Sequence, residues 1–478
     1  MALLEQIAPD DEILKRRDKI VKELAQILGN EAVIADEYGR RAFETDALTA
    51  YKCMPLAVVM PQTTEEVSQI LAYCFKRDIP VVARGAGTSV CGGALPQADA
   101  IVLCVSKMIK IIDIDYDNRA ATVEAGITNL AISEAVSKDG FFYAPDPSSQ
   151  VACTLAGNIA MNSGGAHCLK YGVTTNNLLG ARVVLMDGEI IDIGSAYLDA
   201  AGYDFLGLLT GSEGQIGIVT EATVRILKAA EGARPLLIGF NTVNDAGACV
   251  ASIIASGILP VAIEFMDKPA IEVCEAHAHA GYPLDVEALL IVEVEGSEPE
   301  INELQEKIIS IAKTHSPAII KASTDEQQSA AIWRGRKAAF SAVGRISDFY
   351  CMDGVIPVSR LSDVLTRVFE ICDSYGLRVA NIFHAGDGNL HPLILFNPND
   401  EKEAIRAEQC GADILRLCVE AGGCLTGEHG VGIEKRDLMP VQFTDTDLVQ
   451  QMRIKTIFDP KWLLNPGKVF PLDKRNLE

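Results

Sequence analysis

The segment from His384 to His391, with the sequence HAGDGNLH, restricts the local fold more than any other part of the chain. A helix would place both histidines on one face, but two glycines with an aspartate between them disfavour a helix. The flanking segments 379–383 and 393–396 have the composition of strands, and Asp-Gly at 387–388 is a strong signal for a two-residue turn. The sequence therefore predicts a β-hairpin in which His384 lies directly opposite His391.

Two imidazoles at opposite positions of a hairpin can share a cation, because their Cβ atoms stand about 5 Å apart. Glu428, in the Gly-Glu-His-Gly motif at 427–430, is a candidate third ligand. A site made of His384, His391 and Glu428 leaves coordination positions open for water or substrate, and such mixed ligation suits one zinc, manganese or iron ion. The alternative is a hairpin with two half-buried histidines and a charged loop.

A second feature is the glycine-rich run at residues 84–96, which follows a predicted strand at 80–83. Its first glycines match the opening of a dinucleotide-binding fingerprint, but that fingerprint must lead into a helix. Gly92-Gly93 and Pro96 would break such a helix, so the run is not a Rossmann turn. It is either a loop that wraps an anion such as a pyrophosphate with bare backbone amides, or a plain surface loop.

The charge balance and the cysteine pattern exclude several classes of function. The chain has 42 Lys and Arg residues against 65 Asp and Glu, a net charge of −23, which argues against nucleic acid or an anionic membrane surface as the main partner. No apolar run is long enough for a transmembrane segment, and the N-terminus lacks a signal-peptide pattern. The thirteen cysteines contain no CxxC pair, which disfavours a bound iron–sulfur cluster and fits reduced thiols in a cytoplasmic protein.

Two further runs, at 145–165 and 209–225, are rich in glycine and small polar residues. With the run at 84–96, they resemble the flavin-binding domain of the vanillyl-alcohol oxidase/para-cresol methylhydroxylase (PCMH) family of FAD-linked oxidases. In that family the first run holds the FAD pyrophosphate, the second lines the isoalloxazine ring and the third presents backbone to the adenine.

The resemblance implies a set of FAD-binding residues in this chain. They are Arg84, Gly85, Ala86, Gly87, Thr88, Ser89, Gly92, Pro145, Asp146, Ser148, Thr154, Gly157, Asn158, Asn162, Gly164, Glu213, Gly214, Ile218 and Asn465. Many members of the family link FAD covalently through a histidine in or near the first run. This first run has no histidine, so non-covalent FAD is implied, with His167 as the alternative attachment point.

Beyond Lys228 strands and helices alternate without phosphate-loop glycines, which indicates a second domain. Together with the resemblance, this predicts an α+β chain with a PCMH-type FAD-binding domain at 56–228 and an α/β cap (substrate) domain at 229–408. A helical lead-in at 1–55, with a helix over 12–29, precedes them. A C-terminal segment at 409–478 is expected to return to the FAD-binding domain, through Asn-Pro-Gly at 465–467, and to complete the active site.

Motifs in the second half narrow the resemblance to FAD-linked 2-hydroxy-acid dehydrogenases. These motifs are Trp333–Arg336, Tyr-Cys-Met-Asp-Gly at 350–354, HAGDGNLH, Gly-Glu-His-Gly and Asn-Pro-Gly-Lys. They look most like the FAD subunits of bacterial glycolate oxidases, with D-lactate and D-2-hydroxyglutarate dehydrogenases as near relatives. The hydroxyglutarate branch carries a lysine where this chain has Cys351, so a short substrate is favoured, and glycolate and D-lactate both remain open.

The residue types suit oxidation of an alcohol next to a carboxylate. A cation on the predicted ligands would bind the hydroxyl and lower its pKa, and His429 is the expected general base. Arg336 would hold the substrate carboxylate as a bidentate clamp. For the cationic run at 333–337 the alternative is a solvated helix face.

Reduced flavin must pass its electrons on. The resemblance implies a complex with a second flavin-domain subunit and an iron–sulfur subunit, in the cytoplasm or peripheral at the membrane through those partners. A D-lactate dehydrogenase that passes electrons to a quinone or flavoprotein is the alternative enzyme, and a non-catalytic flavin-fold subunit is the alternative class.

Overall fold

The computed structural model describes residues 6–197 and 202–474. The described residues form two compact units. One comprises Gly165–Tyr171 and Ala229–Gly427 and is called the hairpin unit, because it contains residues 384–391. The other comprises residues 6–164, Gly172–Lys228 and residues 428–474, and is called the loop unit, because it contains most of the glycine-rich runs.

Helices and strands alternate along the described chain. The strands are β1 Val33–Ile34, β2 Ala57–Val59, β3 Val81–Arg84, β4 Ile101–Cys104, β5 Ile111–Asp115, β6 Ala120–Glu124, β7 Phe141–Phe142, β8 Leu178–Val184, β9 Ile190–Gly194, β10 Ile218–Arg225, β11 Leu227–Lys228, β12 Gly232–Phe240, β13 Ala262–Asp267, β14 Ala288–Gly296, β15 Ile319–Ala322, β16 Asp348–Cys351, β17 Arg378–His384 and β18 Pro392–Phe396.

The α-helices are α1 Asp11–Lys15, α2 Arg17–Leu28, α3 Glu37–Arg41, α4 Thr64–Phe75, α5 Asn129–Ser137, α6 Leu155–Met161, α7 Cys168–Tyr171, α8 Thr174–Asn177, α9 Phe205–Leu209, α10 Val243–Ala255, α11 Lys268–Ala278, α12 Glu298–Lys313, α13 Glu326–Lys337, α14 Ala339–Gly344, α15 Leu361–Ser374, α16 Glu401–Glu420, α17 Met439–Gln442 and α18 Asp445–Phe458. Short 3-10 turns lie at Asn30–Ala32, Val358–Arg360, Arg436–Leu438 and Leu472–Lys474.

The loop unit contains two main sheets in its described residues. One has the strand order β1-β2-β4-β3, with parallel pairing of β2 and β3 to β4. The other is antiparallel, with the order β5-β6-β10-β8-β9. The apolar face of α4, including Val67 and Leu71, packs with Ile101 and Leu103 in the core of the first sheet. No helix follows β3 over residues 85–96, in agreement with the rejection of a Rossmann turn.

The predicted helix over 12–29 is interrupted at Arg16, so that α1 and α2 replace it. Ile20 and Leu24 of α2 are buried with the α4 residues in one apolar cluster. The described part of the lead-in is therefore packed into the loop unit.

Residues 428–474 of the C-terminal segment belong to the loop unit. Leu464 forms a parallel bridge with Val81. The side chain of Asn465 accepts a hydrogen bond from the Ala83 N–H at 2.9 Å and donates one to the Gly214 carbonyl at 2.8 Å. The amide of Asn465 therefore joins β3 to the third glycine-rich run.

The hairpin unit is built on an antiparallel sheet, whose described strands have the order β15-β12-β14-β13-β17-β18-β16. Met266, Leu289, Ile382 and Leu393 lie in its apolar core. Helix α16 runs across residue 408, the predicted end of the cap domain, and it buries Ile414, Leu415, Leu417 and Cys418. All thirteen cysteines are free thiols, and none of the helices in the described part of the chain is long and apolar enough to cross a membrane.

Candidate active site

The hairpin predicted around HAGDGNLH forms, but with a different register. Strand β17 pairs with β18 so that Asn381 faces Pro392, and His384 then forms a bridge with Asn389 rather than with His391. The predicted two-residue turn at 387–388 is therefore wrong, because the connection spans the four residues 385–388. The cause is tertiary. Residues 388–390 hydrogen-bond to residues 354–356, through Gly388 O to Ile356 N at 3.0 Å and Leu390 N to Gly354 O at 2.8 Å.

The two imidazoles nevertheless lie together. A register shift of two residues keeps every side chain on its original face of the sheet, whereas a shift of one would reverse it. His391 is therefore the diagonal neighbour of His384 on the same face. The ring centroids are 5.3 Å apart and the ring planes are nearly perpendicular, at 87°. The predicted proximity of the two histidines is thus retained despite the error in register.

Gly388 is required by this turn, which leads to a first prediction. Its φ is +79°, and a Cβ built on it would overlap the carbonyl oxygen of Ile356. We expect Gly388→Ala to destabilise the protein by about 2 kcal/mol or more, and so to lower its melting temperature by about 4–8 °C. Gly376→Ala is the matched control, because Gly376 also has positive φ, +65°, but its Cβ would enter open space. Equal melting temperatures for both variants would contradict the role of the Ile356 contact.

The Nδ1 atom of each histidine lies within hydrogen-bond distance of an acceptor oxygen of the protein. The Nδ1 atom of His384 lies 2.7 Å from Oε1 of Glu264, and that of His391 lies 3.1 Å from the carbonyl oxygen of Met352. A carbonyl or carboxylate oxygen only accepts hydrogen bonds, so each neutral ring carries its proton on Nδ1 and its lone pair on Nε2. This is the tautomer that binds a metal through Nε2. The donor chemistry of the pair therefore fits a divalent cation.

Glu264 also binds Arg336, in a buried ion pair. Nε and Nη2 of Arg336 each lie 2.7 Å from Oε2 of Glu264. Burial raises the pKa of the Glu264 carboxyl, but the charges and hydrogen bonds of Arg336 and His384 outweigh it and lower this pKa from 4.5 to about 2. The interaction therefore stabilises the fold above about pH 4.5, and the stabilisation is lost as the pH falls through about 2.

Arg336, the predicted carboxylate clamp, is thus already engaged by a protein carboxylate. It is 5% exposed, so the alternative of a solvated helix face does not describe it. That alternative does describe Arg334 and Lys337, which lie on the exposed side of α13.

Asp353 is a residue of this region that sequence reasoning missed, although it lies in the Tyr-Cys-Met-Asp-Gly motif. It is fully buried. Its carboxylate accepts hydrogen bonds from the hydroxyl of Thr426 and from the Gly427 N–H at 3.0 Å, and Oδ1 lies 3.9 Å from Nδ1 of His391. Sγ of Cys351 also lies within 4.8 Å of a ring nitrogen of His391. Asp353 therefore fixes the end of the hairpin unit, immediately before Glu428 and His429 in the chain.

Glu428 and His429 begin the C-terminal part of the loop unit, and the turn that follows them is held by Glu213. The Glu213 carboxylate accepts the N–H groups of Val431 at 2.6 Å and Gly432 at 2.7 Å. Nζ of Lys435 donates to the Gly430 carbonyl at 3.0 Å. Glu213 was singled out from the sequence for FAD binding, and the structure gives its side chain a positioning function in this turn.

Apart from Asn465, the other predicted FAD-binding residues come from the three glycine-rich runs, which lie together in the loop unit. A Cβ on Gly85 would overlap Oγ1 of Thr154, which places the first run against the second. The N–H groups of Gly211 and Glu213 donate to the carbonyls of Ile159 and Ala160 at 2.8 and 2.7 Å, which joins the third run to the second. The first and third glycine-rich runs thus both pack against the second.

Within these runs, several polar side chains form hydrogen bonds to the protein backbone. Nη1 of Arg84 donates to the Thr45 carbonyl at 2.8 Å, and a Cβ on Gly87, whose φ is +77°, would overlap the Arg84 guanidinium. Oγ1 of Thr154 caps α6 by accepting the Gly157 N–H at 3.2 Å. FAD contacts by individual residues stay predictions.

His167, the alternative attachment point, belongs to the hairpin unit. Its Nε2 lies 3.2 Å from the Glu293 carboxylate, which also accepts the Trp333 indole N–H at 2.6 Å. The imidazole therefore shares a buried carboxylate with Trp333.

Comparison with known proteins defines the class. Residues 55–194 match the family model of the FAD binding domain, and residues 230–469 match that of the C-terminal domain of FAD linked oxidases. The solved structure of p-cresol methylhydroxylase superposes with a TM-score of 0.81 and 17% identity, covering 98% of each chain. The chain belongs to the FAD-linked oxidases, with the predicted PCMH-type fold, and is an FAD-dependent oxidoreductase.

Its relatives agree with the narrower resemblance seen in the motifs. The chain is 48% identical over 430 residues to the glycolate oxidase subunit GlcD of Escherichia coli K12, covering 90% of this chain and 86% of the relative. It is 38% identical to the subunit of that name from Bacillus subtilis, covering 96% and 98%. The D-lactate dehydrogenase of Archaeoglobus fulgidus is 35% identical, with coverage of 89% and 94%.

Proposed function

We propose that this protein oxidises glycolate to glyoxylate and transfers two electrons to a non-covalently bound FAD. The observation that carries the proposal is the pair His384 and His391, whose Nδ1 atoms are both held by protein acceptors in the tautomer that ligates a metal. The similarity to glycolate oxidase subunits favours glycolate among short 2-hydroxy acids.

The proposed metal ligands are His384, His391 and Glu428. Glu428 follows Gly427, whose N–H is bound by the Asp353 carboxylate next to His391. A zinc, manganese or iron ion held there would bind the substrate hydroxyl and lower its pKa. The mixed ligation with a carboxylate leaves room for a substrate oxygen.

The chain's own residues then supply proton transfer and orientation. His429, next to Glu428, accepts the hydroxyl proton as general base. Arg336 holds the substrate carboxylate with the donors that Glu264 does not use, since a guanidinium has five N–H groups. Fixing the carboxylate and the hydroxyl together sets the direction of the α-hydrogen. FAD, when bound, would supply the acceptor for that hydrogen as hydride.

D-lactate is the second candidate, because Cys351, close to His391, presents a small and neutral side chain. A D-lactate dehydrogenase is also among the relatives. One additional methyl group changes binding by only about 1–3 kcal/mol, so both substrates have to be compared directly.

Flavin bleaching of the purified protein under anaerobic conditions tests this function. We expect glycolate to bleach the flavin absorbance fastest, D-lactate more slowly, and L-lactate and D-2-hydroxyglutarate least. Faster bleaching by D-lactate would reverse the order of the two candidates. Bleaching by none of the four acids would refute oxidation of 2-hydroxy acids and favour a non-catalytic flavin-fold subunit.

For electron output we propose a complex with a second flavin-domain subunit and an iron–sulfur subunit. The word "subunit" in the names of the relatives supports this assembly. The sequence holds no CxxC cluster motif, so a partner would supply the cluster. The protein would then act in the cytoplasm or peripherally at the membrane through those partners.

A further inference from the structure

We propose that Glu264 is a positioning residue which, with Arg336 behind it, sets the tautomer and orientation of His384 for metal binding. This inference rests on the metal site in the proposed function. Glu264 is buried and lies outside every motif found in the sequence. The inference is that it determines the tautomer and orientation of one metal ligand, His384.

The register of the sheet places Glu264 directly opposite His384. Strand β13 pairs antiparallel with β17, and the register matches Glu264 with His384. Cβ atoms at such positions are about 5 Å apart, which suits a hydrogen bond between a glutamate and an imidazole. Because both residues lie on central strands of the sheet, their spacing is set by backbone pairing rather than by a mobile loop.

Each oxygen of the carboxylate has its own partner. Oε1 lies 2.7 Å from Nδ1 of His384, and Oε2 lies 2.7 Å from both Nε and Nη2 of Arg336. Because Arg336 occupies Oε2, the carboxylate cannot rotate to offer a different geometry to His384. The ring of His384 is thus fixed by the Glu264 carboxylate, whose own orientation is fixed by Arg336.

Arg336 also offsets the free-energy cost of burying the charged Glu264 carboxylate, since an isolated buried carboxylate would protonate. The Arg336 side chain reaches β13 from α13, which packs closely on Tyr282. A Cβ on Gly335 would overlap the Tyr282 ring, and the Tyr282 hydroxyl donates to the Ile332 carbonyl at 2.5 Å. Glycine at position 335 thus lets α13 approach Tyr282 closely enough for the Arg336 side chain to reach β13.

The two histidines are supported unequally. His384 donates to the Glu264 carboxylate at 2.7 Å, whereas His391 donates to a backbone carbonyl and has the carboxylate oxygen of Asp353 at 3.9 Å from its Nδ1. A carboxylate partner raises the basicity of a metal-binding imidazole, and loss of such a partner commonly weakens metal affinity about 10–100-fold. His384 should therefore be the stronger of the two imidazole ligands, and it should depend on Glu264.

Glu264→Gln makes the mechanism testable. The charged Arg336 will attract the amide oxygen of the new glutamine and so turn its NH2 group towards His384. An NH2 group donates to Nδ1, which moves the ring proton to Nε2 and blocks metal binding. In Glu264→Gln/Arg336→Met the cation is absent, so the amide oxygen is released to accept from His384, and the correct tautomer returns.

The experiment measures the affinity of FAD-loaded protein for Zn²⁺ and Mn²⁺ by competition with a chelator. We expect Glu264→Gln to weaken binding about 10–100-fold, and the double variant to recover most of that loss. Glu293→Gln is the control, because Glu293 is also a buried carboxylate bonded to an imidazole, that of His167. Its metal affinity should equal that of the wild type.

Two outcomes would overturn the inference while leaving the metal site intact. They are unchanged affinity in Glu264→Gln, and a double variant that binds metal no better than the single variant. FAD content and melting temperature report folding, and the double variant, which removes both buried charges, provides the measurement if the single variant fails to fold.

Nitrogen-15 spectra of the histidines in metal-free wild-type protein give an independent reading. The signal of His384 is assigned as the one that is missing from the spectrum of His384→Ala. We expect it to show a ring that carries its proton on Nδ1. An Nε2–H tautomer would refute the role of Glu264. Wild-type protein that binds neither ion but shows the Nδ1–H tautomer would refute the proposed metal site and retain the positioning of the ring.

Discussion

His384→Ala is expected to remove the bound divalent metal and to lower turnover about 10³-fold, which corresponds to about 4 kcal/mol of lost transition-state stabilisation. The protein should remain yellow, because His384 lies outside the loop unit that contains the glycine-rich runs. The fold should also survive, since Glu264 keeps its ion pair with Arg336 when the imidazole is absent.

The measurements are metal content by elemental analysis, FAD by absorbance, and turnover with glycolate. His315→Ala serves as the control, because the His315 ring is partly buried and bonded to the Ser252 hydroxyl at 2.9 Å, but it lies in no predicted site. It should keep both metal and turnover. Full activity of His384→Ala without metal would remove the cation from the mechanism.

His429→Asn is expected to lower kcat by about 10²–10⁴-fold, the usual contribution of a general base. Metal affinity and FAD content should remain near wild-type values, because the predicted metal ligands are His384, His391 and Glu428, and the turn after His429 is held by Glu213 through Val431 and Gly432. The measurement is the rate of flavin reduction after rapid anaerobic mixing with substrate.

A parallel loss of metal from His429→Asn would instead identify His429 as a ligand. Unchanged flavin reduction would show that another group accepts the hydroxyl proton. The two predictions therefore separate metal binding at the hairpin from proton transfer at the Glu-His motif.

Local sequence chemistry was sufficient to predict the two strands on either side of the HAGDGNLH segment. The segments that flank HAGDGNLH were predicted as strands and form β17 and β18, and the glycine-rich runs indicated the FAD-binding fold that the comparisons confirm. The two histidines lie close together in spite of the wrong turn, because a register shift of two residues leaves each side chain on the same face of the sheet.

The supporting contacts depend on pairings that the local sequence does not encode. The register of the hairpin was missed because residues 354–356, far away in the chain, bind residues 388–390 and lengthen the turn. Glu264 was missed because only the pairing of β13 with β17 brings it to His384, across 120 residues of chain.

The roles of Asp353 and Glu213 were missed for the same reason, since each holds backbone amides of a segment that is distant in sequence. Residue types and short-range periodicity are local properties and can be read directly from the chain. The partner of a buried carboxylate is set by strand order and register, which exist only once the sheet has assembled.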